Sequence, residues 1–385
     1  MDCRSSLLRY HGNVVDMNTN LNRRLFLGGL AVTSLARAAD KLKSLPTVHE
    51  NIRQATMAAP LELLFKGKSP RDLAAWQKRF RGKVSELLGP HTSPTHWERE
   101  RLSKEVFPEF TREEFLLKAK GMASLPVYAL RPNPKLFGKG PFPVVLCLHG
   151  HGEFAHDAVV GIDHTPERLQ NIKKANYDYA RQLAREGFLT IAPCMRPFGR
   201  RLDEASRRSK TDPCAVTFVR LMLLGETLMG ANLRDCKWAL DFAETLPDGD
   251  IERCGCVGLS YGGRMTMLTA AMDLRVKAVV VSGALNMMQE RIGNHYSCGG
   301  QVIPGLLRYG DTPELGGLIA PRPCIWEIGS SDGLVVKGWD EKMKTRLQRA
   351  YTAAGQAKAI QFYHFEGGHR WDGATALPML KKVLG

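Results

Sequence analysis

Short apolar runs alternate along this chain with longer stretches in which apolar residues recur every three to four positions. Residues 143–148, 188–193, 254–259, 276–281 and 324–328 are the short runs. Each has the length of a strand and almost no polar face, as in strands covered on both sides within a parallel sheet. Helical spacing fills the gaps, over 166–186, 224–246, 263–272 and 340–354, with a last helix near the C-terminus. A further strand fits 359–365. This alternation predicts an α/β fold, a mostly parallel central sheet with helices on both faces. Two strands at 115–118 and 126–131, joined by a Gly-containing turn, lead into it. From Asp40 to Glu100 the pattern is polar and helical, with Leu61, Leu63, Leu64, Leu73, Trp76, Phe80 and Leu87 forming its buried face. Residues 284–318 read as irregular.

The N-terminus follows a different pattern. Asn22-Arg23-Arg24-Leu25-Phe26-Leu27 precedes a modest apolar run and then Ala36-Arg37-Ala38. A charged segment, a short apolar segment and an A-x-A site make an export signal, and the paired arginines resemble a bacterial twin-arginine signal. The apolar run is too short to cross a bilayer. The expected organisation is an export signal over 1–38, an N-terminal helical extension over 39–104 and a catalytic α/β domain over 105–385. The protein would be exported, to the periplasm or beyond, without stable membrane insertion. Met17, just ahead of the arginines, is a second candidate start after Met1.

Composition changes this picture little. The chain carries a net charge of +15, and residues 1–38 hold only five basic and two acidic groups, so most of the excess lies in the rest. A basic surface favours anionic material such as uronic-acid polysaccharide. No nucleic-acid module or lysine-arginine block is present, so nucleic acid is not an expected partner. Of nine cysteines, Cys147, Cys194, Cys254, Cys256 and Cys324 fall in strand-like runs and read as small core hydrophobes. Cys214, Cys236 and Cys298 lie outside strands, where a bridge among them stays open.

The chemistry centres on Gly258-Leu259-Ser260-Tyr261-Gly262, a G-x-S-x-G between a buried strand and a helix. That context is a nucleophile elbow, a strained turn that lifts a serine Oγ clear of the sheet. A second match, Gly329-Ser330-Ser331-Asp332-Gly333, opens no helix and fails on context. A serine nucleophile needs a base, and the base needs an anion to orient it. Asp332 lies past the end of one later strand and His369 past the next, where open α/β sheets place their chemistry. The expected catalytic residues are therefore Ser260, Asp332 and His369. Glu327 and Asp372 are rival acids and His364 a rival base. The oxyanion hole would draw on the Tyr261 N–H and on the loop carrying His151 and Gly152. Arg196 and Arg200, past another strand end, and Trp371, beside His369, are candidate substrate contacts, with Arg201 in the same loop.

These residues resemble the α/β-hydrolase superfamily over about residues 115–385. Within it the chain looks like the dienelactone hydrolase and acetyl xylan esterase branch, to which residues 305–323 are also similar. The resemblance implies an α/β-hydrolase fold and a serine-esterase mechanism with no cofactor, acting on a small-molecule or polysaccharide ester, an acetyl-xylan-type carbohydrate ester among them. The chain departs from the pattern in carrying serine where true dienelactone hydrolases carry cysteine. It also lacks a proline often found after the acid. Ser260-Tyr261-Gly262-Gly263 also resembles prolyl-oligopeptidase-type peptidases, whose large propeller is missing. Two other readings compete. His149-x-His151, with His156 and Asp157 nearby, suggests a metal-dependent hydrolase, but Glu153 stands in the Asp position and His156 comes late, so no metal ligand is expected. A binding module that kept the fold would typically have lost the serine or histidine.

Overall fold

The computed structural model describes residues 47–209, 211–294 and 298–385. The expected export signal and the Met17 start lie outside them. No helix among the described residues is long and apolar enough to cross a membrane.

Nine strands form one sheet in the order β1-β2-β3-β5-β4-β6-β7-β8-β9. Their spans are β1 Glu98–Val106, β2 Phe110–Lys118, β3 Leu125–Pro132, β4 Phe142–Leu148, β5 Leu189–Pro193, β6 Gly249–Leu259, β7 Val276–Ser282, β8 Cys324–Gly329 and β9 Ile360–Phe365. β1, β2 and β3 pair antiparallel, and so do β3 and β5; every later pairing is parallel. The main helices are α1 Val48–Met57, α2 Pro70–Leu88, α3 Pro166–Ala175, α4 Tyr179–Ala184, α5 Pro213–Met222, α6 Leu228–Glu244, α7 Tyr261–Met272, α8 Trp339–Ala353 and α9 Ala376–Leu384.

The apolar runs are buried on both faces because alternate residues feed two separate cores. Val144, Leu146 and Leu148 of β4 join one with α2, α6, α7 and α8. Val145 and Cys147 join the other with α3, α4 and α9. That two-sided cover is why these strands carry no polar alternation. α2 packs here through Leu73, Phe80, Val84 and Leu88, with Trp76 stacked on Phe80 at 5.3 Å. Its start is fixed by Pro70 at the first helical position and a capping box between Ser69 and Asp72.

The structure departs from the sequence expectation in places. The sheet begins at β1, so residue 104 falls inside a strand. β1 is exposed along almost its whole length and carries no apolar stripe to announce it. The helix expected over 166–186 is two helices, because Asn176 caps α3 in the left-handed conformation (φ 48°). α6 starts at Leu228, where the Thr227 hydroxyl accepts the Gly230 N–H. α5, capped by Asp212 with Pro213 at its first turn, and β1 were not anticipated.

Candidate active site

β6 ends at Leu259 and α7 begins at Tyr261, so Ser260 alone makes the corner, with φ 64° and ψ −121°. A side chain bearing a Cβ is costly there and persists only where neighbours over-determine it. Ser260 N–H donates to the Ser282 carbonyl at 2.8 Å, and the Ser260 carbonyl accepts from Arg264 N–H at 3.0 Å. The glycines are required by close packing rather than by φ. A Cβ on Gly258 would lie 2.5 Å from the Gly262 backbone, and one on Gly262 would collide with the Leu148 carbonyl oxygen. On Gly263 it would lie 2.5 Å from the Ser282 carbonyl oxygen. The corner is thus wedged between β4 and β7, and Ser260 is left half-buried.

Asp332 and His369 sit on loops after β8 and β9, and backbone bonds stitch the loops together. Ser330 N–H reaches the Phe365 carbonyl at 2.9 Å and Ser331 N–H the Gly367 carbonyl at 2.8 Å. Gly329 must lack a side chain because a Cβ would lie 2.6 Å from the Gly367 carbonyl oxygen. The second G-x-S-x-G is therefore the acid loop, and its first glycine serves this approach. Asp332 is buried; its Oδ1 accepts the Leu334 N–H at 2.9 Å and its Oδ2 faces His369 Nδ1 at 2.8 Å. An ionised carboxylate can only accept, so Nδ1 carries the proton and Nε2 keeps a lone pair. The imidazole lies against Gly283, where a Cβ would be 2.7 Å from His369 Cε1 and 3.0 Å from Leu259 Cδ1. Gly283, one residue past β7 with φ 60°, is what lets the ring settle beside the Ser260 corner. Among the described residues the Ser260 hydroxyl makes no hydrogen bond.

The rival groups are occupied elsewhere. Glu327 is buried in β8, and its Oε1 accepts the Gly373 N–H at 2.9 Å, which braces the loop carrying His369. Burial pushes its carboxyl up to about 7. Asp372 meets Arg370, and His364 meets Lys344 on an exposed edge.

β4 runs directly into the loop over 149–152. His149 is fully buried; its Nε2 accepts the Met195 N–H at 2.8 Å, so its Nδ1 donates to the Gly150 carbonyl, also at 2.8 Å. Burial holds it neutral, with its pKa pulled down to about 3. Both ring nitrogens are used, which leaves no lone pair for a metal in the His149-x-His151 arrangement. Gly150 N–H donates to the Tyr177 hydroxyl at 2.5 Å, and a Cβ on Gly150 would lie 3.1 Å from Ser260 Cβ. Among the described residues the N–H groups of His151 and Gly152 donate to no other group. The Tyr261 side chain is buried, its hydroxyl accepting from Asn232 Nδ2 at 2.7 Å and its ring 5.1 Å from that of His151.

The arginines and the tryptophan are not free to meet substrate in the way their positions suggest. Arg196 forks onto buried Asp235 through Nε at 2.9 Å and Nη2 at 2.8 Å. Arg201 reaches the same carboxylate and the Cys194 carbonyl. Arg200 pairs with Glu114 and donates to the Tyr128 hydroxyl at 3.1 Å. Trp371 is only 2% exposed and packs 5.2 Å from the Tyr179 ring, so it has no open face for a sugar.

Sequence reasoning missed Tyr177, Asn232 and Gly283, and read Glu327 only as a rival acid rather than as a brace for the His369 loop. Only Gly283, at a strand's carboxyl end, carried a signal. The eight described cysteines are buried and outside disulfides. Cys298 is drawn well below the usual thiol range by hydrogen bonds from Cys214 and then His151, which outweigh burial.

Residues 165–291 match the dienelactone hydrolase family. The protein YtaP of Bacillus subtilis (strain 168), whose name describes it only as a hydrolase, is 26% identical over 300 residues, spanning 75% of this chain and 92% of that one. A Bacteroides fragilis NCTC 9343 structure named for acetyl xylan esterase is 18% identical at a TM-score of 0.71, covering 88% of this chain and 90% of that one. A glucuronoyl esterase from Solibacter usitatus is 14% identical at a TM-score of 0.61, covering 85% and 98%. At such identities the two structures speak for the fold alone: the chain has the fold of these esterases, and its residues 165–291 are similar to the dienelactone hydrolase family.

Proposed function

We propose that this protein is a serine esterase that cleaves carboxylic esters through an acyl-enzyme. The observation that carries the reading is a strained, half-buried Ser260 at the strand-to-helix corner together with an imidazole that lies against Gly283, just past the neighbouring strand, with its Nδ1 2.8 Å from buried Asp332. In this reading Ser260 Oγ attacks the ester carbonyl while His369 Nε2 takes its proton. The tetrahedral oxyanion is held by the Tyr261 N–H and by the N–H of His151 or Gly152. The Gly150 N–H is excluded from that role because Tyr177 holds it. Asp332 stabilises the imidazolium, which then protonates the departing alcohol. Water repeats the sequence on the acyl-enzyme and restores Ser260.

The finer reading is a carbohydrate ester of the acetyl-xylan type. It is supported by the names of the proteins of like fold and by the basic charge of the chain. We extend it to an exported protein on the strength of the twin-arginine-like signal. Its pocket would rely on groups other than Arg196, Arg201 and Trp371, whose partners lie within the fold.

The test is a panel of p-nitrophenyl acyl esters, acetylated xylan, methyl-esterified uronates and aminoacyl substrates, run on the wild type and Ser260→Ala. We expect ester cleavage that falls by about 10⁴-fold or more in the variant. Undiminished cleavage by Ser260→Ala would sink the mechanism. A strong preference for aminoacyl substrates would replace esterase with peptidase.

A further inference from the structure

Behind the oxyanion loop, three soft ligands from three separate segments converge. They are the exposed imidazole of His151, Cys214 in the first turn of α5, and Cys298 beside the short 3₁₀ turn Gly299–Gln301. One ligand atom from each lies within 4.8 Å of the other two, and His151 Nε2 is 3.0 Å from Cys298 Sγ. Both cysteines are buried, at 1% and 8% exposure. The triad uses none of these side chains.

We propose that His151, Cys214 and Cys298 form a binding site for a thiophilic metal ion such as Zn²⁺, which ties the oxyanion loop to α5. Two thiolates and an imidazole are the donor set that selects such ions over hard cations. In a tetrahedral zinc site the sulfurs stand roughly 3.8 Å apart and each lies roughly 3.6 Å from the imidazole nitrogen. The ligand atoms therefore need only shifts of about an ångström, with the ion taking the place of the present His151–Cys298 contact. The surroundings have the features of an orienting shell. Gln301 Nε2 points at Cys298 Sγ at 3.6 Å, while its Oε1 is held by Arg264 Nε at 2.9 Å. The rings of Phe198 and Tyr261 flank His151 at 5.2 Å and 5.1 Å. A polar tether on one side and an apolar wall on the other set ligand geometry in metal sites. Because His151 is on the open side, the fourth position faces solvent.

A bound ion would not join the ester chemistry. It would fix the loop whose N–H groups hold the oxyanion in the esterase mechanism proposed above, on which this consequence rests. His151 lies one residue from Gly150, which approaches Ser260 Cβ closely. Metal occupancy would then rigidify the hole from behind, through the imidazole.

The experiment is a titration of the reduced, metal-free full chain with Zn²⁺ against a competing chromogenic chelator, and with Co²⁺ followed by absorption. We expect one equivalent bound, with thiolate-to-cobalt charge transfer in the near ultraviolet. Cys214→Ser and Cys298→Ser should each weaken binding by more than about 100-fold, since losing a ligand costs more than losing an orienting group. Gln301→Ala should weaken it by about 10-fold. Ser260→Ala should bind as the wild type does, which keeps this result separate from that of the esterase assay. Three outcomes would overturn the proposal: no stoichiometric binding, binding that survives loss of both cysteines, or a Cys214–Cys298 disulfide found by peptide mapping of the exported protein.

Discussion

The loops that leave β5 and β6, on either side of β4, look equally promising and behave oppositely. The loop after β5 carries Arg196, Arg200 and Arg201, and its charge is consumed internally. Two of those guanidiniums converge on Asp235, which is fully buried, and the third meets Glu114 and Tyr128. The corner after β6 carries one hydroxyl on a strained backbone, without a hydrogen-bond partner among the described residues. A charged group in a folded interior must be paired, and a guanidinium locked onto a buried carboxylate is held by that pair rather than turned toward a ligand. A strand-end position therefore offers an opportunity, and the partners that the fold supplies decide whether a side chain there is tied inward or left open.

That contrast can be broken at either loop. The largest effect should come from the triad side, where Asp332→Asn leaves the imidazole in the wrong tautomer. We expect kcat to fall by about 10⁴-fold with an almost unchanged urea midpoint. Parallel losses of activity and stability would mean that Asp332 is a structural group. At the arginine loop the order reverses. Arg196→Ala leaves Asp235 with Arg201 alone and should destabilise by on the order of 3 kcal/mol in denaturant unfolding, while kcat/KM per folded molecule stays near wild type. A selective loss of kcat/KM on uronate esters, with stability intact, would restore Arg196 as a substrate contact.

The smallest effect concerns Glu327, which braces the His369 loop from beneath. Its carboxyl is pushed up to about 7 by burial, above the 4.5 of an exposed glutamate. The raised value means that its stabilising effect is full below about 4.5, shrinks as pH rises through about 7, and is gone above that. Glu327→Gln keeps an acceptor for Gly373 N–H without the ionisation. Its thermal midpoint should match wild type near pH 5 and exceed it at pH 8, by on the order of 1–2 kcal/mol in stability. Parallel midpoint curves across that range would show that Glu327 does not titrate there.

Much of this was legible along the chain. The strands of the parallel half announced themselves because burial on both faces removes polar positions, and Ser260 lay at a corner that only close backbone packing can make. Strand β1 was not legible because it lies exposed at the sheet edge, where nothing selects apolar residues. The helix over 166–186 split at Asn176 because one left-handed residue ends a helix without breaking its apolar period. Trp371 read as a sugar platform from its place beside His369. Its ring is buried against Tyr179, a contact that the intervening sequence conceals.

By itself the sequence determined the sheet's parallel core and the strand-to-helix corner at Ser260, because each depends on local periodicity or on residues at fixed offsets. Only the tertiary structure decided which groups remain available. Whether an arginine meets Asp235, whether Gly283 makes room for an imidazole, and whether His151 meets two distant cysteines are matters of long-range packing. Partners so far apart in the chain leave no periodic trace, since proximity between them is created only when the sheet closes its two cores.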